Sequence, residues 1–135
     1  MIRRLLVLFW FVIGLLPAAA VQAQELKQAQ EWVVSPQGPL TSIPQALEQA
    51  QPGDTIRVLG GVYRGNLVVD KRVRLVGEDW PVLDAGGVGM VVSLEAPGIE
   101  LRGFVLRGSG SEPDRDHAGV AVRASDIQVL DNLFE

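Results

Sequence analysis

From Thr55 onward, apolar residues recur at every second position in short runs broken by Gly, Pro, Asp and Asn, the period of half-buried strands. The runs Thr55 to Val58, Asn66 to Val69, Val73 to Val76, Pro81 to Leu83, Met90 to Leu94, Ile99 to Leu106, Gly119 to Val122 and Ile127 to Phe134 are predicted as strands or strand pairs. Ahead of them the period is helical, with Ile43, Ala46, Leu47 and Ala50 on one face. Ser42 is the predicted cap of this short helix, Pro44 is tolerated in its first turn, and Gln45 stands three residues after Ser42 as a capping box requires. Pro52-Gly53-Asp54 ends it. Gln24 to Gln37 is polar and without period, apart from Trp32-Val33-Val34 as one short strand, and Gly60 to Gly65 reads as a corner.

Many short strands define an all-β class, and internal repetition separates a solenoid from a sandwich. Val73-Arg74-Leu75-Val76-Gly77 lies over Ile99-Glu100-Leu101-Arg102-Gly103 at an offset of 26, and Ile127-Gln128-Val129-Leu130-Asp131 follows at 28. In the same alignment Phe104 meets Asn132 and Leu106 meets Phe134. Met90-Val91-Val92 and Gly119-Val120-Ala121-Val122 supply a further equivalent strand at an offset of 29. A single coil cannot bury its inward face, so the coils stack, with Leu75, Leu101 and Val129 in one interior column. The expected fold is a right-handed parallel β-helix with a short N-terminal capping α-helix. No Asn-Gly or Asp-Gly dipeptide supports antiparallel hairpins. Because the chain stops inside a strand pair, it is expected to be truncated at the C-terminus.

The front of the chain changes the picture. Arg3 and Arg4 precede an apolar run from Leu5 to Leu16, then Pro17 and small residues up to Val21-Gln22-Ala23, the layout of a secretory signal peptide. A membrane span would need roughly 20 apolar residues. The expected organisation is a signal peptide at 1–23, a leader segment at 24–40, and the cap with the first coils of a β-helix domain at 41–135, in a periplasmic protein. Removal of Arg3 and Arg4 leaves 10 basic against 16 acidic residues, a net charge of −6, which offers no footprint for nucleic acid. With no cysteine there is neither disulfide nor thiolate chemistry, and packing alone must supply stability.

Candidate chemistry gathers in the segment Gly108 to His117, which carries the one histidine of the chain among acids. His117, Asp116 and Asp114 are the candidate metal ligands, since carboxylates and an imidazole suit a divalent ion, although one His without Cys falls below the usual ligand count for tight zinc or copper. A solvated loop explains the same residues. Met90, a soft ligand type, sits in an apolar strand and reads as core. The acid pairs Glu78/Asp79 and Asp114/Asp116 have the residue types of glycoside hydrolysis but the spacing of ordinary turns. Arg74 and Arg102 are expected at equivalent outward positions, as a short ladder. Tyr63 and Trp80 are candidate sugar-stacking aromatics, with Trp80-Pro81 read as packing a turn. No nucleophile has an adjacent base and no phosphate loop is present, so no catalytic or cofactor-binding residue is assigned.

Several blocks in order carry a resemblance. They run from Ser42-Ile43-Pro44-Gln45-Ala46-Leu47 through Pro52-Gly53-Asp54-Thr55-Ile56 and Gly61-Val62-Tyr63-Arg64-Gly65-Asn66-Leu67, the opening of many exported β-helices. They continue with Val73 to Glu78, Val82-Leu83-Asp84-Ala85-Gly86-Gly87, Ala96 to Phe104, Arg107 to Gly110 and Ala118-Gly119-Val120. From Leu40 to Phe134 this order is similar to the NosD family of periplasmic β-helix proteins. The resemblance implies a non-catalytic scaffold that works with an ABC transporter and a copper chaperone in maturing the copper sites of nitrous oxide reductase, with copper passing transiently. Nothing in the chain matches a copper ligand of that family. β-helices also include carbohydrate-binding and carbohydrate-active proteins of the lyase and epimerase kind, so a carbohydrate partner is the alternative expectation.

Overall fold

The computed structural model describes residues 28–112 and 117–135. The signal peptide expected at 1–23 lies outside them. The chain order is β1 (Glu31–Val34), α1 (Ile43–Gln49), β2 (Thr55–Leu59), β3 (Val62–Arg64), β4 (Leu67–Val69), β5 (Arg74–Glu78), β6 (Val82–Asp84), β7 (Val92–Leu94), β8 (Glu100–Arg102), β9 (Val105–Arg107), β10 (Val120–Val122), β11 (Gln128–Leu130) and β12 (Leu133–Phe134). These strands stack into three sheets: β1-β2-β5-β8-β11 (sheet A), β3-β6-β9-β12 (sheet B) and β4-β7-β10 (sheet C). All the pairings are parallel. The fold is therefore a parallel β-solenoid of about 4 turns with one short helix among the described residues.

Period-two alternation explains why each strand has an inside. In sheet A, Trp32, Ile56, Leu75, Leu101 and Val129 occupy one register column, and Ile56, Leu75 and Leu101 have no exposed surface. Sheet B contributes Tyr63, Leu83, Leu106 and Phe134 in a second column, and sheet C adds Leu67 with Val92 and Val69 with Leu94. Phe104, fully buried, fills the corner between sheets A and B.

The helix covers the first rung through Ile43, Ala46, Leu47 and Ala50, all buried, and packs on β1, β2 and β4. Ser42 caps it by accepting from the Gln45 N–H at 3.3 Å. The reciprocal half of the capping box shifts by one residue, because Gln45 Oε1 accepts from the Thr41 N–H instead. At the other end the Lys71 ammonium donates to the carbonyls of Leu47 (2.5 Å), Glu48 (3.3 Å) and Ala50 (3.1 Å), the orphan acceptors of a helix terminus. The start of β1 is tied down by Asp54. Its buried carboxylate accepts from the Gln30 N–H, the Trp32 indole and the Gln51 N–H at 2.9 to 3.0 Å.

Four expectations change. Val62 to Arg64, read as part of a corner, is a strand paired with β6. The third equivalent strand is offset by 28 rather than 29, because Val92 pairs with Val120. Met90 precedes that strand, half-buried, and its carbonyl accepts from the Asn66 side chain at 2.6 Å. Arg74 pairs with Glu100 in the register and Arg102 with Val76, so the two arginines are not equivalent. Two cations stacked about 4.8 Å apart would repel, whereas Glu100 between them attracts both, at 2.9 Å from Arg74 and 3.7 Å from Arg102.

Candidate functional site

Successive coils do not turn from sheet B into sheet C in the same way. The connection is 65–66 in the first coil, 85–91 in the second and 108–119 in the third, where 113–116 lie outside the described residues, so it lengthens from coil to coil. Loops that leave a rigid stack at one edge are the usual place for binding residues.

Asp84 organises the base of this corner. Its Oδ1 accepts from the Gly86 N–H at 2.8 Å, its Oδ2 accepts from Arg107 Nε at 3.1 Å, and Arg64 approaches the same oxygen at 3.8 Å. Arg64, Asp84 and Arg107 are register neighbours in three successive coils, an outward column of alternating sign. The next rung up needs a glycine: a Cβ on Gly108 would stand 2.6 Å from Asp84 Oδ1, and Gly108 has φ 73. Its carbonyl instead accepts from the Gly87 N–H at 2.6 Å, while the Gly110 N–H donates to the Gly89 carbonyl at 2.9 Å. Asn66 ties the first connection to the second by donating to both the Val88 and Met90 carbonyls at 2.6 Å.

The Gly86 N–H, then Arg107, hold the Asp84 carboxyl below its ordinary value of 3.8, against the opposing effect of desolvation. A carboxyl whose folded pKa is depressed stabilises the fold above the unfolded pKa and loses that contribution as pH falls through the folded value. The stability difference between the native protein and Asp84→Asn is accordingly expected to be constant at neutral pH and to shrink below pH 3.8. Urea melts of both proteins between pH 7 and pH 2.5 measure it, and a difference that widens toward low pH would contradict this role.

Of the three candidate metal ligands, only His117 lies among the described residues; Asp114 and Asp116 lie outside them. The His117 ring packs against Gly110, where a side chain would collide with Nδ1, and neither ring nitrogen has a hydrogen-bond partner among the described residues. No group of three or more His, Cys, Asp or Glu side chains suited to a metal occurs among the described residues.

Glu78 is held by Arg57 at 3.1 Å, and Arg57 also meets Glu31 at 3.1 Å, so the Glu78/Asp79 pair does not face a cleft as two free acids. Tyr63 belongs to the interior column, its hydroxyl donating to the Leu59 carbonyl at 2.7 Å, and burial pushes its phenol pKa up. Of the Trp80-Pro81 pair, Pro81 is buried in the turn and Trp80 is 51% exposed. The structural weight of Asp84, Arg107 and Asn66 was not read from the sequence, since their partners lie 22 to 24 residues away.

No protein-family model matches the chain. It is 32% identical to the "Probable ABC transporter binding protein NosD" of Pseudomonas aeruginosa over an alignment of 99 residues that covers 56% of this chain and 23% of that protein. The chain thus spans about a quarter of the length of the curated relative it matches.

Proposed function

We propose that this chain is a capped section of a NosD-like scaffold exported to the periplasm, which serves an ABC transporter and a copper chaperone in maturing the copper sites of nitrous oxide reductase. The observation that carries the reading is the 32% identity to a protein named for binding an ABC transporter, joined to the solenoid architecture. Copper in this reading is cargo. The scaffold presents side chains on a rigid ladder and performs no turnover of its own. The outward arginines suit such a role: Arg57, Arg74, Arg102 and Arg107 each lie in an ion pair with an acid on a neighbouring rung or strand. His117, which packs on Gly110, together with Asp114 and Asp116 of the same connection, is where cargo would touch this part of the chain.

Deletion of the full gene in its host, followed by measurement of nitrous oxide reduction and of copper bound to the purified reductase, tests the proposal. The expected outcome is a reductase that accumulates with depleted copper and reduces little nitrous oxide. Normal copper content in the deletion strain would overturn the maturation role.

A further inference from the structure

The second coil turns from sheet A into sheet B through a longer connection than its neighbours, one residue more than Leu59, Gly60 and Gly61 in the first coil. Between Gly77 and Val82 it uses four residues, Glu78 to Pro81, where the third coil passes from Gly103 to Val105 through Phe104 alone. Phe104 and Pro81 are both buried and fill the corner from within, so the core asks nothing of Trp80. Trp80 nevertheless stands there half exposed, and it and Asp79 are consecutive non-glycine residues in the left-handed region, at φ 51 and 61. Glycine would take that conformation freely, and bulky L-residues adopt it only against a steric cost. The Asp79 backbone packs against Gly60 of the preceding coil, but the half-exposed indole of Trp80 lies outside the core, and strain under such a side chain points to a use there.

The chemistry around the ring narrows that use. The indole of Trp32 donates to Asp54, while that of Trp80 donates to no described residue. Glu78 is neutralised by Arg57, and the neighbouring Asp79 carboxylate has no described ionic partner. Val62, 47% exposed, and Val82 form the adjoining outward column of sheet B. The excursion thus carries an aromatic face, an indole N–H and, on the preceding residue, an acceptor carboxylate. We propose that Trp80 and Asp79 form a stacking platform for a neutral sugar ring, whose C–H face covers the indole and whose hydroxyls meet the N–H and the carboxylate.

Two alternatives fit less well. An extended peptide docks by adding a strand to a free edge, and β5, from which the excursion leaves, is already paired on both sides by β2 and β8. An anionic sugar would meet Glu78 and Asp79 against the one cation Arg57, a net negative rim. The inference stands apart from the copper-scaffold reading and does not rest on it.

The test follows the Trp80 indole N–H resonance of the isotope-labelled full-length protein during titration with cellohexaose, maltohexaose, chitohexaose and oligogalacturonate to ~10 mM, concentrations suited to millimolar affinities. At least one neutral hexasaccharide is expected to shift it saturably, and Asp79→Asn is expected to weaken binding several-fold. Trp80→Gly is the decisive variant: relief of the left-handed strain should raise Tm by about 3 °C while binding, followed by calorimetry, falls at least 10-fold. Absence of binding by every neutral sugar, equal binding by Trp80→Gly, or a preference for oligogalacturonate would each overturn the proposal. A shift obtained only with a peptide would overturn it as well, in favour of protein docking.

Discussion

Replacing Gly77 with alanine is expected to destabilise the solenoid by about 3 kcal/mol, the upper range for overpacking a site that cannot relax. Gly77 and Gly103 stack in successive coils at the corner leaving sheet A. A Cβ on Gly77 would run into the Gly103 carbonyl and stand 2.9 Å from Pro81 Cδ, while a Cβ on Gly103 would stand 2.7 Å from the Gly77 oxygen. The obstacle is backbone on both sides, and that backbone is fixed by parallel ladders, so neither partner can step aside. Gly77 is not among the residues with positive φ, which makes the penalty of its alanine one of space rather than of backbone conformation. Urea unfolding followed by far-ultraviolet circular dichroism measures it. A midpoint shift corresponding to less than about 1 kcal/mol would mean that the two coils do not approach as described.

Leu101→Ala carries the second large effect, a loss of about 3 kcal/mol within the range of 2–5 for emptying a leucine site. Leu101 has no exposed surface and sits between Leu75 on one rung and Val129 on the next. In a stacked array each rung is stabilised mainly by its neighbours, so a cavity here weakens two interfaces at once. Leu130, the outward residue of β11 and 38% exposed, provides the contrast: its alanine variant is expected to change stability by less than about 0.5 kcal/mol. Equal losses at the two positions would contradict the assignment of inside and outside.

The interior column of sheet A was legible because alternation and spacing agree there. Val73 to Gly77 and Ile99 to Gly103 share a pattern whose offset of 26 equals the register of Leu75 with Leu101. What hid the rest is that no single offset serves all three sheets. From the first full coil to the second, the register advances 19 residues in sheet A, 20 in sheet B and 25 in sheet C. From the second to the third it advances 26, 23 and 28. Corners lengthen and shorten independently, so extending one alignment across a corner slips by a residue or more, and a slip of one reverses the faces. That is why Met90 read as strand, and why Gly60 to Gly65 read as a corner although Tyr63 lies in the interior column.

The candidate site was less legible for a related reason. His117 drew attention as the one histidine, a compositional signal, whereas the Asp84 cluster is made by residues brought together only through the register of sheet B. The strain at Trp80 leaves no trace in composition or period. Of Trp80-Pro81, read as packing a turn, Pro81 is buried while Trp80 stands half exposed at a corner whose inside holds Phe104 of the following coil.

A pair of double-cysteine variants tests directly the direction in which the coils stack, in a chain that contains no cysteine of its own. Parallel register places Arg74 beside Glu100, both outward, at the roughly 4.8 Å spacing of adjacent strands, within the reach of a disulfide. Antiparallel pairing about Leu75 and Leu101 would instead set Arg74 opposite Arg102. Mild oxidation is predicted to close a bond in Arg74→Cys/Glu100→Cys and to leave Arg74→Cys/Arg102→Cys open; the reverse outcome would contradict the fold.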